Sequence, residues 1–193
     1  MRLPGRAGPV DWLIVGLGNP GSEYQGTRHN IGFAVAERLI ERWSLPRPKS
    51  KYRGLLTQGR TGPGGPRVAI LEPQTYMNDA GKSVGPARGA FKLDLDQVLV
   101  VHDEIDLPFG EIRTRVGGGL AGHNGLKSLR QALGSPEFAR VRIGVGRPPT
   151  TDPDRVASYV LGRFREPRQE VEELIERAAG TVERVVLADE PPT

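Results

Sequence analysis

Five side chains able to move a proton or hold an amide stand just beyond apolar runs of this 193-residue chain: Asn19, His29, Asn78, Asp103 and Asn124. A neutral imidazole near its ordinary pKa takes a proton from water at pH 7. A carboxylate such as Asp103 can hold the tautomer of that imidazole and stabilise the imidazolium that forms. Each asparagine side chain offers a donor and an acceptor, which suits an amide or ester substrate. The chain has no cysteine, and this set of residues includes no activated serine. Direct attack by an activated water is therefore a simpler expectation than a covalent intermediate. Each residue also has a plainer use. A histidine after a loop can cap a helix or face solvent, and Asp103 fits a turn. Asn78 and Asn124 fit as helix N-caps, and Tyr76 and Met77 fit as packing residues. His102 and His123 are read as structural.

The elements that must deliver these groups are legible as apolar runs. Trp12-Leu13-Ile14-Val15 reads as a buried strand. It exits through Gly16-Leu17-Gly18-Asn19-Pro20-Gly21 and carries the chain past Tyr24 to His29 and Asn30. Arg67 to Leu71 reads as a strand leading to Thr75-Tyr76-Met77-Asn78. Val98 to Val101 reads as a strand buried on both faces, ending in His102-Asp103-Glu104. A glycine loop, Gly117 to Gly125, precedes a helix at Leu126 to Leu133. Its glycines admit close backbone approach, and the helix start favours an anion. Open α/β folds place their chemistry at such strand ends.

Further strands are expected at Tyr52 to Gln58, Glu111 to Val116 and Ala139 to Val145. Helices are expected at Ile31 to Trp43, with Asn30 as N-cap, briefly after Asn78, and at Glu170 to Leu187. The expected architecture is α/β: a single three-layer domain with a twisted mixed β-sheet flanked by helices. It spans 11–187, with a flexible extension at 1–10 and a disordered tail at 188–193.

Composition narrows the classes. Apolar content of 37% and charged content of 26% suit a soluble globular chain. No run approaches the roughly 18 apolar residues of a membrane span. Residues 1–10 lack the apolar core of a signal peptide. Without cysteine there is no disulfide and no thiolate nucleophile, which is compatible with a reducing cytoplasm. The net charge is +4. Between Ile112 and Arg147 seven basic residues face one acid, Glu137, whereas from Arg165 onward four arginines face eight acids. A polarised surface of this kind can bind a polyanion, most plausibly nucleic acid; an ordinary solvated face is the alternative.

Several motifs tempt and fail. Gly16-x-Gly18-x-x-Gly21 matches the dinucleotide fingerprint, the basis for a dinucleotide-binding oxidoreductase. That fingerprint needs a helix opening on the glycines, and here Pro20 and a long polar loop intervene. Gly81-Lys82-Ser83 resembles the end of a P-loop, but Tyr76 stands where its first glycine belongs. His29, His102 and His123 lack helical metal spacing, so no metal is expected.

The segments IVGLGNPGSEYQGTRHNIG (Ile14 to Gly32), PQTYMNDAGKS (Pro73 to Ser83), VVHDEIDLPFG (Val100 to Gly110), GGGLAGHNGL (Gly117 to Leu126) and FARVRIGVG (Phe138 to Gly146) together resemble the bacterial peptidyl-tRNA hydrolase family. The resemblance implies a peptidyl-tRNA hydrolase or phosphorylase/hydrolase-like fold. It implies hydrolysis of the ester between a peptide and the 3′-terminal ribose of tRNA, by a monomeric cytoplasmic enzyme without cofactor. It implies His29 as catalytic base and Asp103 as its partner. Asn19 and Asn78 would position substrate and water, and Asn124 would contact the substrate near the 3′ end. Tyr24, Tyr76 and Met77 would line the substrate cleft. Arg115 and Arg142 would grip the tRNA 5′-phosphate, with Arg113 and Lys127 extending the tRNA surface. Many members carry a lysine where this chain has Pro148-Pro149-Thr150-Thr151, leaving Arg147 as the nearest basic residue. A non-hydrolytic RNA-binding homologue is the rival reading, and the intact His29, Asp103 and asparagine set argues against it.

Overall fold

The computed structural model describes residues 9–193. Seven strands form one mixed sheet: β1 (Trp12–Gly16), β2 (Lys49–Lys51), β3 (Gly54–Arg60), β4 (Arg67–Pro73), β5 (Val98–Glu104), β6 (Ile112–Val116) and β7 (Ala139–Gly144). Their order is β2-β3-β4-β1-β5-β7-β6. The central four run parallel, and β2, β3 and β6 pair antiparallel at the edges. Five α-helices are α1 (Ile31–Arg42), α2 (Gly81–Phe91), α3 (Asn124–Leu133), α4 (Pro153–Val160) and α5 (Arg168–Ala188).

The two-residue period of the strands divides the core. Trp12, Ile14, Val68, Ile70, Leu99 and Val101 face α1 and α5. Leu13, Val15, Ala69, Leu71, Val98 and Val100 face α2 and α3. Because both faces are covered, the central strands are unbroken apolar runs, as the β1 and β5 sequences suggest. Gly32 lets α1 sit directly on the sheet: a Cβ there would collide with the Val101 carbonyl oxygen and the Leu17 backbone.

Several expectations change. The β5 strand runs through His102 and Asp103 to Glu104, so these residues are on the strand rather than beyond it. The strand expected from Tyr52 begins at Gly54, because Tyr52 and Arg53 have positive φ and form the turn after β2. The three-residue β2 is too short and polar to show periodicity. The Gly81–Phe91 helix forms despite Gly81, Gly85 and Pro86, since Val84, Ala87 and Phe91 bury against the sheet. Of the extension assigned to 1–10, residues 1–8 lie outside the described residues, and Val10 is 4% exposed and belongs to the core. α5 extends to Ala188, and Trp12 Nε1 donates to Asp189 Oδ1 at 3.3 Å.

Candidate active site

The C-terminal ends of β1, β4 and β5 and the start of α3 enclose an open cleft of about 640 Å³. Asn19, Tyr24, His29, Tyr76, Met77, Asn78, Asp103, Asn124, Lys127 and Arg147 all reach its lining. Arg113, Arg115 and Arg142 do not. Parallel strands bring together residues as far apart in sequence as Asn19 and Asn124, because β4, β1 and β5 are neighbours with their ends aligned.

The loop after β1 is held by reciprocal amide bonds. Asn19 N donates to Asn30 Oδ1 at 2.8 Å, and Asn30 Nδ2 donates back to Asn19 O at 2.9 Å. Asn30 therefore stands at the N-cap position of α1 without capping it; its amide ties the loop shut instead. Asn19 Oδ1 accepts from Met77 N at 2.7 Å, joining the β1 and β4 exits. With its oxygen so occupied, the Asn19 side chain faces the cleft as an N–H donor. Asn78 and Asn124 are exposed in the cleft wall, and neither caps a helix by its side chain. Gly125 permits the buried Met77 to pack under this wall, since a Cβ at 125 would lie 2.5 Å from its sulfur.

Asp103 is the hub. Its carboxylate lies 2.9 and 3.0 Å from His29 Nδ1, and its Oδ1 lies 2.8 Å from His123 Nε2. A carboxylate only accepts, so each of those ring nitrogens carries the hydrogen. His123 Nδ1 in turn accepts from Gly125 N at 3.1 Å and Leu126 N at 3.3 Å, making His123 the N-cap of α3. Both nitrogens of His123 are thus spoken for. His102 is 1% exposed and donates through Nδ1 to the Asp103 carbonyl at 2.8 Å; its Nε2 is buried and unpartnered. Of the three histidines, His29 alone combines a carboxylate-fixed nitrogen with a place in the cleft for the other.

The electrostatics follow from this packing. Burial pulls the His29 pKa down, but the charge and hydrogen bond of Asp103 outweigh it and the net shift is upward from 6.5. Burial alone would raise Asp103; the His29 and His123 imidazoles outweigh that and hold it far below the usual carboxylate range. Burial, followed by His123, pushes His102 down to about 3, so it stays neutral. The ligand atoms of His29, Asp103 and His123 lie within 4.8 Å of one another, the one such cluster among the described residues. A cation there would have to displace both N–H protons that now point at the carboxylate.

His123 is thus a structural residue with two roles, second partner to Asp103 and cap of α3. Its place immediately before the α3 pattern is the sequence signal for the cap, although asparagine is the more usual capping residue and Asn124 also fits. A wall of the cleft was missed. Val156, Ala157, Val160 and Leu161 of α4 line it. Asp152 caps that helix, accepting from Asp154 N at 3.0 Å, and Pro153 occupies its first turn, a recognisable start signal.

The basic residues form a ladder on one face of β6 and β7, where Arg113 is opposite Arg142 and Arg115 opposite Arg140. Arg140 is buried and spends its guanidinium on the carbonyls of Gly118, Gly119 and Pro136, shaping the glycine loop. Arg142 is held by Glu104 at 2.9 and 3.0 Å, while Arg147 pairs with Asp106 and Arg113 with Glu111. Arg115 is exposed and packs over Gly118.

Fold and site first define a class: an α/β protein with a carboxylate bonded to two imidazoles at the ends of parallel strands. The family model for peptidyl-tRNA hydrolase matches residues 13–191, and the chain belongs to that family. It is 46% identical over 176 residues to a peptidyl-tRNA hydrolase of Renibacterium salmoninarum, covering 91% of this chain and 90% of that protein. It is 52% identical over 153 residues to one from Anaeromyxobacter dehalogenans, covering 79% and 77%. The crystal structure of peptidyl-tRNA hydrolase from Acinetobacter baumannii superimposes with a TM-score of 0.80 at 38% identity, covering 92% of this chain and 88% of that one.

Proposed function

We propose that this chain hydrolyses the ester joining a peptide, or an N-blocked aminoacyl group, to the 3′-terminal ribose of tRNA, returning free tRNA to translation. The observation that carries the reading is His29, whose Nδ1 is fixed by Asp103 while the rest of the ring faces the cleft. His29 Nε2 takes a proton from water as that water attacks the ester carbonyl. The Asp103 carboxylate stabilises the imidazolium. The intermediate collapses with release of the ribose 3′-oxygen, which receives the proton from Nε2. The amide N–H groups of Asn19, Asn78 and Asn124 hold the substrate and the developing oxyanion.

Tyr24, Tyr76 and Met77 bound the substrate; Tyr76, at 60% exposure, is the most open large apolar side chain among the described residues and offers a contact face. Arg113, Arg115, Lys127, Arg142 and Arg147 receive the tRNA phosphates. Family membership supports the substrate class, and the absence of any described helix long and apolar enough to cross a membrane is compatible with a cytoplasmic site of action. The protein acts as a monomer. A single-turnover assay on N-acetyl-aminoacyl-tRNA tests the reaction: release of the blocked amino acid is expected, and binding without release would favour a non-hydrolytic RNA-binding protein.

A further inference from the structure

A second cavity, of about 390 Å³, lies on the other side of α4 from the catalytic cleft. Arg28, Arg155, Arg163 and Arg165 line it together with Ser158 and Tyr159, and no acidic residue does. Elsewhere the guanidiniums of Arg38, Arg42, Arg142 and Arg147 are paired with carboxylates. None of the four around this cavity has a carboxylate partner among the described residues.

Arg28 is the unusual member. It is 4% exposed, yet its side chain is held by Nη1 donating to the Tyr159 carbonyl at 2.8 Å and by cation–π contacts 3.9 Å from the Tyr159 and 5.9 Å from the Phe164 ring centroids, with no carboxylate among them. Its Nε is buried without a hydrogen-bond partner. A guanidinium has five N–H donors and cannot lose its proton, so burial without a counter-charge is unfavourable. An anion arriving beside it relieves that cost.

The cavity is built rather than incidental. Arg28 N donates to Gly162 O at 3.0 Å, and Thr27 forms a β-bridge with Arg163, which fixes Arg28 and Arg163 side by side. Arg155, Ser158 and Tyr159 follow the helical i, i+3, i+4 spacing on α4, and Gly162 lies just beyond its end. The other face of the same helix, Val156, Ala157 and Val160, lines the catalytic cleft. α4 is thus a common wall with an apolar side toward the reaction and a cationic side away from it.

We propose that this pocket is a second anion site, separate from the catalytic cleft, that takes a ligand carrying at least two phosphate charges. Four unpaired guanidiniums match a multiply charged anion better than a single carboxylate, and the guanidinium fork matches phosphate oxygens in bidentate fashion. The phosphates come either from a soluble pyrophosphate-type group or from neighbouring phosphodiesters of the RNA; the latter source rests on the tRNA reading above.

Pyrophosphate titrated into the protein by calorimetry at low salt tests the site. Saturable one-to-one binding is expected, at least tenfold weaker in Arg155→Gln/Arg163→Gln and unchanged in Arg38→Gln/Arg42→Gln, whose guanidiniums are paired with carboxylates of α5. Arg155 and Arg163 are exposed, and a matching thermal melt confirms that the variant is folded. No saturation at millimolar pyrophosphate, or equal binding by the Arg155/Arg163 variant, overturns the proposal. The salt dependence of tRNA binding then separates the sources. A log–log slope shallower by about 2 in that variant assigns the phosphates to RNA, at roughly 0.9 per contact. An unchanged slope with lost pyrophosphate binding assigns a soluble ligand. Pyrophosphate binding retained in His29→Ala separates this site from the esterase reading, because it requires no hydrolysis.

Discussion

His29 and His123 donate to the same carboxylate oxygen, Asp103 Oδ1, at 3.0 and 2.8 Å, with their ring centroids 4.8 Å apart. The arrangement makes two chemically identical residues unequal. The remaining nitrogen of His123 is consumed by the α3 backbone, whereas His29 keeps its own for the cleft.

Replacing His29 by alanine removes the proposed base. A general base contributes about 10²- to 10⁴-fold, so single-turnover hydrolysis of N-acetyl-aminoacyl-tRNA should fall by that factor while tRNA affinity stays within a few-fold. Near-full activity in this variant would remove His29 from the mechanism.

The pH profile carries a sign. The base works as neutral imidazole, and its pKa is raised above 6.5, so kcat/KM should climb with pH through an apparent pKa above that value. Asp103→Asn removes the carboxylate that raises it. The apparent pKa should then move down and the rate should drop. A profile unmoved by Asp103→Asn would show that Asp103 does not govern His29.

His123→Ala loses both a hydrogen bond to Asp103 and the cap of α3. Loss of an N-cap costs about 0.5–2 kcal/mol, which chemical denaturation reads directly. A parallel fall in rate at saturating substrate, with KM little changed, would show that His123 also orients Asp103. Stability lost with kcat intact would confine it to capping.

Arg142 and Arg115 should differ on tRNA. Arg115→Ala should flatten the log–log salt slope by about 0.9, the loss of roughly one phosphate contact. Arg142 must first exchange Glu104 for phosphate, so Glu104→Gln should tighten tRNA binding, a result measurable by filter binding. Weaker binding by Glu104→Gln would mean that the pair itself shapes the interface.

Glu72 gives the fold a pH dependence of its own. Its side chain is buried on β4, and burial, followed by the charge of Glu37, pushes its carboxyl up to about 8. A raised folded pKa means that its contribution is full below the unfolded value near 4.5 and is lost as pH rises through about 8. The melting temperature should therefore fall more between pH 6 and pH 9 in the wild type than in Glu72→Gln. Parallel curves would show that Glu72 ionises without cost.

By itself the sequence determined the layers, because apolar runs at β1, β4 and β5 can only be strands covered on both faces. It also determined which loops follow those strands and which polar residues they carry. Parallel pairing of neighbouring strands then brings those loops to one end of the sheet. What it left open were relations set by side-chain direction across the fold. Nothing local shows that His123 joins His29 at Asp103 while the His102 ring does not, or that Asn30 reaches back to Asn19 instead of capping its helix. Asp103 settles the first by pointing at two imidazoles at once, and the close loop geometry settles the second. The same holds for α4. Its start signal is local, but its position between an apolar cleft and four unpaired guanidiniums depends on the bridge from Thr27 to Arg163, 136 residues apart in sequence. Charge and hydrogen-bond partners are properties of neighbourhoods, and only the tertiary fold makes those neighbourhoods.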